Sequence, residues 1–282
     1  MSYNFYGDVR CQTAYQVFNS ISSYFIKMSD DFLLVDCQKV ILKIIKFISD
    51  QVTSRGKAGV VIGLSGGIDS SVSAVLAARA LGPDKVIGLS MPERGISPNM
   101  DIQNAKSLAK KLRIRYKQIE IGRGKKSLLN KLPKEKLAGG NFSARLRMSL
   151  LYYNAAINNY LVMGTADKSE LALGYFTKFG DEGADILPIG DLYKSQVKLL
   201  AKELRLPEQV VSQPSSPRFW KGQLAEKEIG LPYDEVDIIL YYYLRNKLHS
   251  CKLGKRKIKL VTDMVTRSQH KKLEIPVCHV RA

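Results

Sequence analysis

The hexapeptide Ser65-Gly66-Gly67-Ile68-Asp69-Ser70 (SGGIDS) lies between an apolar run, Val60 to Leu64, and a segment of helical character, Ser71 to Leu81. A loop at a strand-to-helix junction aims backbone N–H groups and the positive end of a helix dipole at one point, which suits a phosphate. Two adjacent glycines let the main chain approach a bulky anion, and Ser65 and Ser70 add hydroxyl donors. Phosphate loops of the G-x-x-x-x-G-K-S/T kind carry a lysine; this one carries a carboxylate instead. A carboxylate beside phosphates is repulsive unless a cation lies between them, so Asp69 predicts a magnesium ion bridging it to the phosphates of ATP.

A second region, 163–194, is dense in charge and glycine without being of low complexity. It opens where a strand should end, at Met163 and Gly164. Thr165 is placed to offer its hydroxyl to ATP. Glu170, on a short helix, supplies a second carboxylate, and two carboxylates from separate segments fit a shared magnesium. Lys194 falls in the first turn of a helix whose apolar face is Val197, Leu200, Ala201 and Leu204, with Asp191 as the expected cap. A lysine there opposes the helix dipole and is understandable if it grips a polyphosphate. No side chain in either region reads as a covalent nucleophile.

These residues need a frame. Ile41, Ile44, Ile45, Ile48 and Val52 follow helical spacing, and Val60–Leu64 reads as the first strand. Val86 to Leu89, Tyr116 to Ile121 and Tyr160 to Met163 read as three more. A helix marked by Ile102, Ala105, Leu108 and Leu112 and another over 144–158 lie between them. The basic segment 122–140 reads as loop, and 213–223, with Pro214, Pro217 and Trp220, as a loop able to fold over a site. Residues 233–250 read as helix and 251–282 as a basic tail. Strands alternating with helices predict an α/β fold, a doubly wound parallel sheet of Rossmann-like type with flanking helices. Ligands then sit beyond the carboxyl ends of the strands, where SGGIDS and the segment from Gly164 meet. Residues 1–30 read as a loosely held extension and 31–282 as a single domain.

Composition narrows the function classes. The net charge is +18, but the lysines are scattered along helices rather than interleaved with aromatics, so solvated faces are expected rather than a nucleic-acid surface. No apolar run is long enough to span a membrane, and the start has no basic-then-apolar secretory pattern. Cys11, Cys37, Cys251 and Cys278 form no CxxC pair, and His249 and His279 beside two of them do not make a zinc spacing. A reduced, cytoplasmic setting is expected.

The loop resembles the pyrophosphate-binding loop of ATP pyrophosphatases, which cleave ATP to AMP and pyrophosphate while adenylating a substrate. Four blocks in order extend the likeness over roughly residues 35–276 and resemble the NAD synthetases, particularly the ammonia-dependent form: GLSGGIDS at 63–70, GNFSARLRM at 140–148, GTADKSELALGYFTKFGDEGADILPIGDLYK at 164–194 and SQHKK at 268–272. Glu182 stands where that family commonly has glycine, and Ala166 to Ser169 differs from the TDHAA wording of many bacterial members.

The resemblance implies an adenine nucleotide alpha-hydrolase type fold and the amidation of deamido-NAD with ammonia to NAD, through an adenylated carboxylate. It implies that Gly63, Leu64, Ser65, Gly66, Gly67, Ile68, Asp69 and Ser70 bind ATP together with Thr165, Lys194 and Ser216. Asp69 and Glu170 hold magnesium, and Asp69, Glu170 and Lys194 are the catalytic set. Arg145, Lys178, Asp185, His270 and Lys271 bind deamido-NAD, whose pyrophosphate and carboxylate suit cations. A homodimer is implied. Too little chain precedes SGGIDS for an amidase domain, so free ammonia, or ammonia from another protein, is the expected donor. Two rivals remain: an ATP pyrophosphatase that adenylates tRNA, of the thiolating or lysidine-forming kind, which the charge favours, and a nucleotide sensor without turnover. Segments 122–140 and 213–223 are expected to order over the site, because an adenylate must be kept from water.

Overall fold

A computed structural model describes residues 33–280. Contacts divide the chain after Leu34, and everything below concerns the unit that starts at Val35. The expected extension, 1–30, lies outside the described residues, as does Cys11.

Four short strands form one parallel sheet: β1 (Val60–Gly63), β2 (Val86–Ser90), β3 (Arg115–Gln118) and β4 (Leu161–Met163), in the order β3-β2-β1-β4. β1 is central, with Val61 opposite Ile87 on one side and Val162 on the other. Its unbroken apolar sequence follows from burial on both faces. The period of two divides it between two cores. Val60 and Ile62 face helices α1 (Cys37–Ser54), α2 (Ile68–Leu81) and α7 (Lys194–Glu203), through Ile48, Leu76 and Leu200. Val61 faces α5 (Lys136–Asn158) with Ala155 and Val162. The edge strand β3 is polar, with Arg115, Lys117 and Gln118 exposed, which discourages pairing with another sheet edge. No helix among the described residues is long and apolar enough to cross a membrane.

The chain leaves β1 for β2 and β3, through α3 (Asn99–Leu112), then returns to the other side of β1 as β4. Strand order reverses between β1 and β4, and the crevice at that reversal is where such sheets take ligands. SGGIDS follows β1 and Gly164 follows β4, so both chemical blocks lie at this crevice.

Several boundaries differ from the sequence reading. The third strand stops at Gln118 because the chain turns at Glu120, whose carboxylate accepts from the backbone N–H of Arg94, Gly122 and Arg123. Segment 122–140 is not loop: Gly122–Leu129 is helix α4, and α5 starts at Lys136, capped by the Glu135 side chain, eight residues before 144. The basic tail contains a helix, Lys255–Arg267, seated through Val261 and Val265. The remaining labels are α6 (Lys168–Leu173) and α10 (Tyr233–Leu244), with α8 (Glu208–Val211) and α9 (Ala225–Ile229) between α7 and α10.

Candidate active site

The SGGIDS loop braces itself. The Ser65 and Ser70 hydroxyls lie 3.0 Å apart, the Gly67 N–H donates to Ser65 Oγ at 3.2 Å, and Ser70 Oγ donates to the Gly67 carbonyl at 3.0 Å. Gly66 has φ +86°, and a Cβ there would collide with the backbone carbonyl of Asp101; glycine is required on both counts. Gly67 occupies the N-cap of α2 and offers no side chain to the first-turn N–H groups. The positive end of α2 is therefore open toward the crevice.

Three helix N-termini meet here. Asp69 is in the first turn of α2, Glu170 in that of α6, and Lys194 is the first residue of α7. Lys194 Nζ lies 2.8 Å from Asp69 Oδ2, 2.9 Å from Glu170 Oε1 and 3.0 Å from Asp167 Oδ2. The Lys194 and Asp167 side chains are wholly buried, while those of Asp69 and Glu170 keep 20% exposure toward the cavity. Asp167 caps α6 through a reciprocal pair: the Glu170 N–H donates to Asp167 Oδ1 at 2.8 Å, and the Asp167 N–H donates to Glu170 Oε2 at 3.3 Å.

Burial and the crowding of carboxylates around one ammonium shift the proton affinities of Glu170, Asp167 and Lys194. Burial pushes the Glu170 carboxyl up to about 8, against the pull of Lys194, with Asp167 and Asp69 adding to the rise. Burial also raises Asp167. Burial lowers Lys194, but Asp167, Asp69 and Glu170 together carry it well above the usual lysine range.

A second layer holds Lys194 from behind. Asp237, buried on α10, accepts from the Ser169 hydroxyl and, at 2.8 Å, from the Ser195 N–H; Ser169 Oγ accepts from the Lys194 N–H at 3.0 Å. This closes the first turn of α7 with protein acceptors. The expected cap, Asp191, is elsewhere: Tyr193 stands at the N-cap, and Asp191 instead pairs with Lys168 at 2.7 Å. Lys194 tolerates its place against the dipole because three carboxylates surround it, and all its ammonium contacts are inside the protein.

Among the described residues, one carboxylate oxygen of the knot has neither a hydrogen bond nor an ion pair. Asp69 Oδ1 is buried without a hydrogen-bond partner. An orphaned carboxylate oxygen beside a half-open glutamate fits a hard divalent cation, which takes oxygen ligands. No cluster of three or more His, Cys, Asp or Glu side chains suited to a metal occurs among the described residues, so such a cation would share its remaining ligands with phosphates or water.

The cavity at the crevice is lined by Gly63, Leu64, Ser65, Gly67, Ile68, Asp69 and Ser70, and also by Thr165, Glu170 and Ser216. Loop 213–219 forms its outer wall. Asp101 holds it through Gln213 Nε2 at 2.6 Å and Arg218 Nε at 2.8 Å, and the Phe219 ring packs directly on Gly140. Ser216 Oγ accepts from the Arg218 N–H at 3.1 Å. Among the described residues, 122–140 contribute nothing to the lining.

The residues expected to bind the second substrate fall into two places. Arg145 Nε donates to the Lys178 carbonyl at 3.2 Å, Lys178 Nζ to the His270 carbonyl at 3.1 Å, and Lys271 Nζ to the carbonyls of Gly174 and Phe176 at 2.9 and 2.8 Å. These four are neighbours. Asp185 is tied to the sheet, accepting from the Val162 N–H at 2.7 Å and the Tyr152 hydroxyl at 3.4 Å.

Sequence reasoning assigned no role to Asp167 or Asp237. The Asp-x-x-Glu spacing of Asp167 and Glu170 is a capping-box signal that was available. Asp237 lies 68 residues from Ser169, and nothing local marks it.

A sequence profile described as NAD synthase matches residues 40–276. The chain is 43% identical over 251 residues to an NH(3)-dependent NAD(+) synthetase of Hyperthermus butylicus, covering 86% of this chain and 91% of that one. It is 44% identical over 245 residues to the same-named protein of Archaeoglobus fulgidus, covering 86% and 98%. Among solved structures, an NMN synthetase from Francisella tularensis superposes with a TM-score of 0.80 at 33% identity, covering 88% of this chain and all of that one. An NH3-dependent NAD synthetase from Campylobacter jejuni, in complex with nitrate ion, superposes with a TM-score of 0.76 at 34% identity, covering 87% and 100%.

Proposed function

The chain belongs to the NAD synthase family, and from that premise we propose how its own residues carry the family's reaction. The reaction is ATP-dependent amidation of deamido-NAD by ammonia, giving NAD, AMP and pyrophosphate; the protein is a carbon–nitrogen ligase. A carboxylate is a poor acyl donor, so its oxygen first attacks the α-phosphorus of ATP. The bond to the β-phosphate oxygen breaks and pyrophosphate leaves. Ammonia then attacks the acyl carbon, a proton is lost, and AMP departs with the carbon–oxygen electron pair.

The observation that carries the assignment of roles is the open N-terminus of α2 beside the Asp69–Glu170–Lys194 knot. Gly63 to Ser70 receive the departing pyrophosphate on backbone N–H groups and the Ser65 and Ser70 hydroxyls. Thr165 and Ser216, which both line the cavity, contact the nucleotide. Magnesium would be held by Asp69, through its unpartnered Oδ1, and by Glu170; bound there, it neutralises phosphate charge. Lys194 keeps those two carboxylates in place. Arg145, Lys178, His270 and Lys271 take the deamido-NAD, whose charges their cations complement. Asp185, set apart from these four and bonded to β4, contacts the same substrate from the strand ends. Loop 213–219 keeps water from the adenylate.

The test is to combine the protein with ATP, magnesium, ammonium and deamido-NAD and to measure NAD and AMP. Equal yields of both are expected. AMP formed only on adding tRNA would overturn the reading in favour of an RNA-adenylating enzyme. The superposition on an NMN synthetase makes nicotinate mononucleotide the acceptor to run in parallel.

Two further parts of the proposal have their own tests. A homodimer fits the exposed Tyr153 and Ile157 on one face of α5; a one-chain mass by sedimentation equilibrium would remove it. A cytoplasmic setting fits the free thiols of Cys37, Cys251 and Cys278; recovery of the native protein in an oxidising compartment would contradict it.

A further inference from the structure

Two cations line the cavity wall, Arg147 and Arg218. Arg218 is matched: its Nε and Nη2 lie 2.8 and 3.4 Å from the Asp101 carboxylate. Lys194, behind the wall, is matched three times over. Arg147 is different. It projects from α5, its Nε donates to the Met91 carbonyl at 3.1 Å, and among the described residues no carboxylate lies within ion-pair distance of it. Its two terminal nitrogens have no protein acceptor among the described residues. The acidic groups that act on it from farther away are Glu93 and Asp181. Glu93 is already held by Lys125 at 2.8 Å and by the Ser143 hydroxyl at 2.9 Å, and Asp181 accepts from the Thr177 N–H at 2.8 Å.

Its location is equally specific. Met91 follows the carboxyl end of β2, and Met148, the next residue along α5, packs against Gly183. Arg147 is therefore anchored on the α5 side of the strand ends, in the cavity that α2 opens into from the other face of the sheet. A guanidinium stays charged even when burial lowers its proton affinity, and an unmatched one in a partly closed cavity requires an anion. Its planar fork, pinned at Nε, presents two parallel donors to an oxyanion.

We propose that Arg147 is a substrate-binding residue whose terminal nitrogens clamp an oxyanion where the adenylyl group is transferred. That oxyanion is either a non-bridging phosphate oxygen pair of the nucleotide or the carboxylate of the acceptor. The inference rests on the reaction assigned above, and extends it to a residue inside the GNFSARLRM block that carried no role there.

The experiment compares the parent enzyme with Arg147→Met and Arg147→Lys by calorimetry, using four ligands in two pairs. ATP and adenosine share the base but differ in phosphates; deamido-NAD and NAD differ only at the carboxylate. Loss of a charge-assisted hydrogen bond predicts roughly 10- to 100-fold weaker binding of the ligand that carries the oxyanion. Adenosine and NAD should stay within about twofold of the parent, because they leave out, respectively, the phosphates and the carboxylate. Weakened ATP with unchanged deamido-NAD assigns the phosphate, and the reverse assigns the carboxylate. Arg147→Lys should recover part of the loss, since it restores charge but not the fork. Unchanged binding of both anionic ligands in Arg147→Met would overturn the proposal. So would equal weakening of adenosine and NAD, which is the signature of a merely structural anchor on Met91. A parent enzyme that made no NAD would sink the proposed reaction, while the paired binding ratios would still score Arg147.

Discussion

Lys194→Met is the substitution that most directly probes the buried knot. Methionine matches the length and flexibility of the lysine stem without its charge. It leaves Asp69, Asp167 and Glu170 facing one another with no cation, Asp167 wholly buried and the other two 20% exposed. Removing one partner of a buried ion pair costs about 3–5 kcal/mol, a large share of the roughly 5–15 kcal/mol that stabilises a domain.

The pH dependence identifies the cause. Glu170 is raised from 4.5 to about 8 in the fold, so between those values the folded chain holds a proton that the unfolded chain has released. Its contribution to stability is fully present below 4.5 and is lost as pH rises through 8. The slope is about 1.4 kcal/mol per pH unit per proton held. Without Lys194, the lowering influence on Asp167 and Glu170 disappears, and the folded variant holds roughly one more proton than the folded parent. The deficit of the variant then grows by about 3 kcal/mol between pH 5 and pH 7. Urea unfolding at pH 5, 6 and 7, with unchanged m-values, measures it. A deficit of the same size at pH 5 and pH 7, or no deficit at pH 7, would refute the reasoning that charge crowding, rather than packing, makes Lys194 necessary.

Three other substitutions test separate parts of the site. Gly66→Ala places a Cβ against the Asp101 carbonyl at a residue of φ +86°; it should cost about 1–3 kcal/mol and most of the activity, and a variant with parental melting temperature and turnover would contradict the loop geometry. Asp69→Asn removes a negative charge from the knot and the oxygen pair offered to a cation; NAD formation should vanish while cooperative unfolding persists, and retained turnover would discard the metal role. Gly140→Ala collides with the Phe219 ring and should loosen loop 213–219, raising KM for ATP several-fold and speeding proteolytic cutting there; unchanged KM and cutting would show that the loop does not depend on that contact.

How much of this was legible in the sequence depended on the range of the interactions. β1 and β4 are apolar throughout, and β2 up to Ser90, because both faces are covered, and that shows in any window of five residues. SGGIDS is visible because two glycines and an aspartate between a strand and a helix are rare without a reason. Segment 122–140 was misread because Gly122, Gly124, Pro133, Gly139 and Gly140 look like loop composition. Gly140 is in fact helical, and its missing side chain makes room for Phe219, 79 residues later, a contact no local pattern carries. The same limit hid Asp237. Lys194 was expected to grip phosphates; a sequence shows a charge but not its burial, and the three carboxylates around it in the structure were not legible there.

The three helix ends at the crevice explain where an anion can go. α6 is closed by the Asp167–Glu170 capping box, and the first turn of α7 is closed by Ser169 and Asp237. Only α2, capped by a glycine, keeps its N–H groups unclaimed. An N-terminal dipole favours an anion by about 0.3–1 kcal/mol at exposed sites and up to about 2 in partly buried ones; three competing ends would spread that preference over three positions. Closing two of them with protein acceptors confines it to one, directly over Asp69. The acidic side chains around Lys194 outnumber it three to one close to that position. Under the function proposed above, such a knot suits a nucleotide that brings a cation with it rather than a bare polyphosphate, and this ties the three helix starts to the ionic form of the proposed substrate.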